Sequence, residues 1–117
     1  MLISIVGPLF EEIIFRFGIY RTFLNKGKKL EIAGLIITTI LFALIHMEAT
    51  LIFTFSDITN PNWDILLADL WTLPPYLFIA FAITFTYYKS KNLFTPMILH
   101  MTWNFFQFVL IVISYVL

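Results

Sequence analysis

The sequence predicts an all-α, integral membrane bundle of about four transmembrane helices, and three observations predict it. Of its 117 residues 61% are hydrophobic and 12% charged, and the mean hydropathy is +0.94, which is too apolar for a soluble domain of this length. Four apolar runs, Leu2 to Phe23, Ile32 to Phe55, Leu73 to Tyr88 and Pro96 to Leu117, approach the roughly 20 residues that cross a hydrocarbon core as a helix. The cations are segregated: six of the seven Lys and Arg residues lie in two connecting loops. Helix is the required form, because an open strand would leave backbone amides unpaired in lipid.

Each element follows in order. The first run carries Pro8 and then the cluster Glu11, Glu12 and Arg16, three ionisable residues within six positions of an apolar stretch. Such residues are costly in hydrocarbon, so the cluster marks a site rather than packing. Arg21, Lys26, Lys28 and Lys29 fill the next loop, and the second run ends in Phe42, His46 and Glu48, the last assigned to the solvated helix end. Asp57, Asp64 and Asp69 make the following connection acidic, with Trp63 and Trp71 placed for an interface. The third run is short and is expected to draw on Leu70 to Thr72; Pro74 and Pro75 suit its first turn, where a missing amide hydrogen costs little. After Lys89 and Lys91, Thr95 with Pro96 is the expected capped start of the fourth run. By the positive-inside tendency the basic loops, residues 21–31 and 89–92, are cytoplasmic, which makes the protein a multi-pass component of the cell membrane with both termini outside.

Composition also excludes. A formal net charge of zero offers no basic surface for nucleic acid. Without cysteine there is no disulfide framework, thiolate-bound zinc or thiol nucleophile. The N-terminus lacks the basic region, short apolar core and cleavage site of a secretory signal, so Met1 onward is read as mature chain. No internal repeat or low-complexity tract divides residues 1–117, which read as one membrane-embedded domain.

Residues four apart share a helix face, which joins Glu12 to Arg16 as an ion pair, and sets Phe42 with His46 and His100 with Asn104. Glu11 points about 100° away from Glu12 and is left free to act as a base. Gathered at one point, the three polar faces supply a carboxylate base, an imidazole partner, and an imidazole and amide able to stabilise an oxyanion. Depth is the obstacle: from the nearest basic loop Glu11 lies roughly 18 Å in, His46 roughly 21 Å, Asn104 roughly 12 Å and His100 roughly 6 Å at the helical rise. A water-filled cavity opening toward the basic loops would accommodate that spread.

These residues carry a resemblance. Glu11-Glu12-Ile13-Ile14-Phe15-Arg16, Phe42-Ala43-Leu44-Ile45-His46 and His100-Met101-Thr102-Trp103-Asn104 resemble, in order, the Glu-Glu-x-x-x-Arg, Phe-x-x-x-His and His-x-x-x-Asn motifs of one family. It is the type II CAAX prenyl protease, bacteriocin-processing and immunity family of intramembrane glutamic endopeptidases. The resemblance covers roughly Val6 to Phe106. It implies that Glu11, with His46, activates water, that His100 and Asn104 form the oxyanion site, and that Glu12 and Arg16 support them. Family members commonly place Gly directly after the motif arginine, where this chain has Phe17 followed by Gly18. They also usually carry further helices before the first motif, so this domain is either a shortened member or the C-terminal part of a longer architecture.

The expected function is hydrolysis of a peptide bond in a membrane-associated peptide or protein, CAAX-type or bacteriocin-related, by glutamate-activated water without a cofactor. Zinc held by Glu11, His46 and His100 is the chemical alternative, although the His-Glu-x-x-His helix of zinc proteases is absent. A non-catalytic bacteriocin self-immunity or scaffold protein of the same fold is the functional alternative, and a proton-coupled transport element is a third. Expected partners are membrane lipid, the peptide substrate, and either partner helices or a second copy in a homo-oligomer.

Overall fold

The structure is a computed structural model that describes residues 3–116, leaving aside the side chains of residues 3–5 and 49; Met1, Leu2 and Leu117, at the outer limits of the expected first and fourth spans, lie outside the described residues. All regular structure among them is helical. The first rod begins as α1 (Ile3–Glu12), widens into a π-type segment (Ile13–Ile19) and tightens into a 3₁₀ turn (Tyr20–Phe23). Widened turns of this kind recur at functional sites, and this one starts directly after the glutamate pair. Leu24 then turns extended, and Asn25 and Gly27 take positive φ of 62° and 103°. Asn tolerates that region and Gly has no Cβ to oppose it, so the chain reverses into α2.

Helix α2 (Lys28–Ile45) stops ten residues short of the expected end of the second run. The cause is His46. Its Nδ1 stands 2.8 Å from the Phe42 carbonyl, an acceptor that the His46 amide also reaches at 3.4 Å. A side chain competing for its own helix's carbonyl offers the backbone an exit, and Met47 leaves the helical line. The remainder folds as α3 (Glu48–Thr54), which packs on α4 (Trp63–Asp69) as a short hairpin. Thr50 Oγ1 donates to Asp69 Oδ2, and the Asn62 amide donates to the Thr54 carbonyl at 2.9 Å to close the hairpin.

A 3₁₀ turn (Leu70–Thr72) links α4 to α5 (Leu73–Ser90), so the third span does extend backward, and Pro74 and Pro75 sit in the first turn of α5. Lys91, at φ 52°, ends it. Helix α6 (Phe94–Val116) begins two residues before the expected start, because Asn92 Oδ1 accepts the Phe94 amide at 2.9 Å. The cap is therefore Asn92, not Thr95.

The first rod lies on α6, α6 on α5, and α5 on α2, while α2 returns to the π-type segment. The interior is small: Phe15, Phe42 and Ala80 form its apolar centre, with Ile19 against them. Around that centre Glu12, Arg16, Thr38, Thr84 and His100 are buried, whereas Ile36, Phe78, Ile98, Phe105 and Ile111 face outward. A polar interior within an apolar exterior is the arrangement that lipid selects. Two segments, Trp63–Ser90 and Phe94–Val116, are long and apolar enough to cross a bilayer. The protein is an all-α membrane bundle.

Candidate active site

The buried pair forms first. Glu12 and Arg16, one turn apart and both fully shielded, stand 3.2 Å apart between Oε2 and Nε. That contact is off the line of a hydrogen bond, so charge rather than alignment holds it. Arg16 also reaches the Ala80 carbonyl through Nη2 at 3.4 Å, and its guanidinium lies 4.9 Å from the centre of the Phe42 ring. The pair thereby ties the first rod to α2 and α5.

Glu12 has a second task. Its Oε1 accepts from His100 Nδ1 at 2.9 Å, with both side chains buried. His46 is held at Nδ1 by the Phe42 carbonyl. Its ring is sandwiched by Phe42, stacked at 4.4 Å, and Tyr76, tilted at 5.0 Å. An acceptor at Nδ1 fixes the tautomer with the proton there and leaves Nε2 as the working nitrogen. Both working nitrogens point to one atom: Glu11 Oε2 lies 3.8 Å from His46 Nε2 and 3.6 Å from His100 Nε2. These separations exceed a direct hydrogen bond, and Glu11 Oε2 is shielded without a hydrogen-bond partner in the protein.

The structure thus brings Glu11, His46 and His100 together in spite of the depth spread read from the sequence. The earlier start of α6 removes about 3 Å of it at the helical rise. Asn104 does not bond to the other three, but it lines the same cavity as His46 and His100, about 350 Å³ in volume. Tyr76, Trp103 and Gln107 share that wall. Sequence reasoning missed them. Trp103 and Gln107 carried a usable signal, three and seven residues after His100 and so on its helix face; Tyr76 carried none.

The cavity lies beside the end of α2 and the start of α5, and Tyr76, Ile79, Trp103 and Gln107 continue it into a second space walled by Trp71, Thr72 and Pro75. It therefore extends toward the acidic connection and not toward the basic loops as expected. Among the described residues no group of three or more His, Asp or Glu side chains forms a ready-made metal site.

A carboxylate flanked by two oriented imidazoles thus sits inside a helical membrane bundle, and at the level of the family the protein is membrane-protease-like. The chain belongs to the Rce1-like family of type II CAAX prenyl endopeptidases, whose family model matches residues 1–106. It is 31% identical over 105 residues to the UPF0177 protein YxdF of Lactococcus lactis, covering 90% of this chain and 45% of that protein. It is also 31% identical over 103 residues to the "Putative membrane peptidase YdiL" of Bacillus subtilis, covering 88% of this chain and 33% of that protein. The chain thus spans less than half the length of these relatives. No solved structure matches it significantly.

Proposed function

We propose that this chain carries the catalytic helices of a multi-pass intramembrane endopeptidase that cuts a membrane-associated peptide with water activated by Glu11. The observation that carries the reading is Glu11 Oε2, unbonded within the protein and faced by Nε2 of both His46 and His100. A water between them donates one proton to the Glu11 carboxylate while its oxygen adds to the peptide carbonyl carbon. The oxyanion that forms is met by the Asn104 amide and by His100, which donates from Nε2 when its ring carries both protons. When the carbonyl reforms, the C–N bond breaks and the proton held by Glu11, passed through His46, goes to the leaving amine.

Glu11 and Glu12 are set against the one cation Arg16, and the two imidazoles beside Glu11 lie where they can exchange the proton that the reaction moves. Glu12 and Arg16 are positioning residues: the first fixes His100 through Nδ1 and the second holds Glu12 in place.

The substrate class is a peptide or protein tail in the bilayer, either carrying a C-terminal lipid or lacking one. With the basic loops cytoplasmic, the cavity is entered from the opposite side, where Trp71, Thr72 and Pro75 extend it. No metal takes part in this reading. The test is cleavage of a mixed library of membrane peptides by wild type and by Asn104→Ala. Loss of one oxyanion donor lowers the rate by about 10²–10³-fold; an unchanged rate in the folded variant would remove Asn104 from the reaction.

A further inference from the structure

At the opposite end of the bundle a cavity of about 500 Å³ opens between the two basic turns. Arg21 and Asn25 enter it from the first, Lys91 and Asn92 from the second, with Phe17 and Tyr87 among its walls. The positive-inside tendency accounts for how many cations these turns carry. It does not require two of them, seventy positions apart in sequence, to converge on one concave space with two amides.

Both cations are seated on aromatic faces. The Arg21 guanidinium lies 4.4 Å from the centre of the Phe17 ring, and Lys91 Nζ lies 4.6 Å from that of Tyr88. Stacking holds the planar Arg21 guanidinium by its face and leaves its edge N–H groups free, while the Lys91 ammonium, a point charge, is placed by the Tyr88 ring. Among the described residues Arg21 has no carboxylate partner, and Lys91 has only Glu31, at 3.7 Å. The turns themselves are set by left-handed residues, Asn25 and Lys91, and the Asn25 backbone N–H donates to Glu31 Oε1 at 2.9 Å, which leaves the Asn25 side chain out of that bond. Phe17, the residue standing where the family commonly has glycine, thereby gains a use as the platform under Arg21.

We propose that this cavity binds a phosphate-bearing anion, with Arg21 and Lys91 as its cationic contacts and Asn25 and Asn92 as neutral donors. A planar guanidinium suits two phosphate oxygens at once, and basic pockets between membrane helices at the cytoplasmic side recognise anionic headgroups. Leu24 and Leu93 complete an apolar wall, which fits the glycerol end of a phospholipid better than a free ion. The proposal does not depend on the catalytic reading, since none of these residues lies in the active site.

The experiment titrates the full chain in neutral detergent with phosphatidylglycerol and with phosphatidylcholine, read by native mass spectrometry. Wild type is expected to bind phosphatidylglycerol at least 10-fold more tightly, and Arg21→Gln with Lys91→Gln to lose that preference. Lys26→Gln with Lys28→Gln removes the same charge from residues that do not line the cavity, and is expected to keep it. Competition by inorganic phosphate separates the sources: displacement of the lipid at millimolar phosphate assigns the site to the phosphate group alone, and its failure assigns it to the lipid headgroup. Equal loss in the two double variants, or none in the first, would overturn the proposal. Phe17→Gly provides a second arm that leaves every charge in place, and a several-fold weakening is expected.

Discussion

Removing Arg16 isolates the largest electrostatic commitment in the bundle. Arg16→Met keeps an apolar stem of similar length but leaves the Glu12 carboxylate fully buried, with only His100 Nδ1 at 2.9 Å for company. It also removes the bond to the Ala80 carbonyl. Breaking a buried ion pair from one side costs about 3–5 kcal/mol, because an uncompensated charge stays inside. At about 1.4 kcal/mol per decade, the folded fraction relative to unfolded falls by roughly 10²–10⁴-fold. The assay is unfolding in mixed micelles by added sodium dodecyl sulfate, followed by the fluorescence of the three tryptophans. Arg21→Met, at an exposed position, is the control and should stay within about 0.5 kcal/mol in detergent free of anionic lipid. Adding Glu12→Gln to Arg16→Met should recover part of the loss, since the stranded charge is then gone. An Arg16→Met protein as stable as the control, or a double variant whose cost is the sum of the singles, would refute the buried network.

Three further predictions rest on other parts of the molecule. Gly34→Ala should destabilise by about 1–3 kcal/mol in the same unfolding assay, because an added Cβ would stand 2.5 Å from Cβ and Cγ of Phe23; in that background Phe23→Ala, which keeps its own Cβ, should relieve only part of the clash and Phe23→Gly the whole of it. The chain has no cysteine, so Thr72→Cys and Asn25→Cys can be labelled singly with a membrane-impermeant maleimide in intact cells. Thr72→Cys should react from outside and Asn25→Cys only after lysis, and the reverse pattern would invert the orientation. In the turn after α3, Asp57 is held below its ordinary range by the Thr59 hydroxyl and then by the Thr59 amide. A lowered folded pKa makes its contribution complete above the ordinary carboxylate range and lost as the pH falls through the lowered value. Amide exchange, corrected for its intrinsic pH dependence, should then rise in residues 57–60 on acidification, and Asp57→Asn should abolish that pH dependence.

How much of this was legible follows from where each interaction is encoded. The Glu12–Arg16 pair was readable because a spacing of four on a helix is local, and the prolines at 74 and 75 mark the start of α5 for the same reason. The early end of α2 was partly readable: Glu48, assigned to a solvated helix end, lies three residues past it, but the apolar residues resume from Ala49 to Phe55, and the bond of the His46 ring to the Phe42 carbonyl at the break is not encoded in hydropathy. The cap at Asn92 was overlooked because Thr95 before Pro96 has the stronger local pattern, while Asn92 acts two residues ahead of the helix. The motifs named Glu11, His46, His100 and Asn104, but not which ring nitrogen each histidine presents. For His100 that depends on Glu12, a contact formed only when α1 and α6 assemble; for His46 it depends on the carbonyl of Phe42 one turn back, a local contact that the spacing of four permits but does not announce. The approach of Tyr76 to the His46 ring is likewise tertiary, set by elements remote in sequence.

The central claim is that the Glu11 carboxylate activates water. The measurement that tests it most directly compares purified wild type with Glu11→Gln on the same membrane-peptide library, each with and without a metal chelator, after matching their unfolding midpoints. The account predicts cleavage by wild type that the chelator leaves intact and that Glu11→Gln loses. A Glu11→Gln protein that cuts as fast as wild type would contradict it.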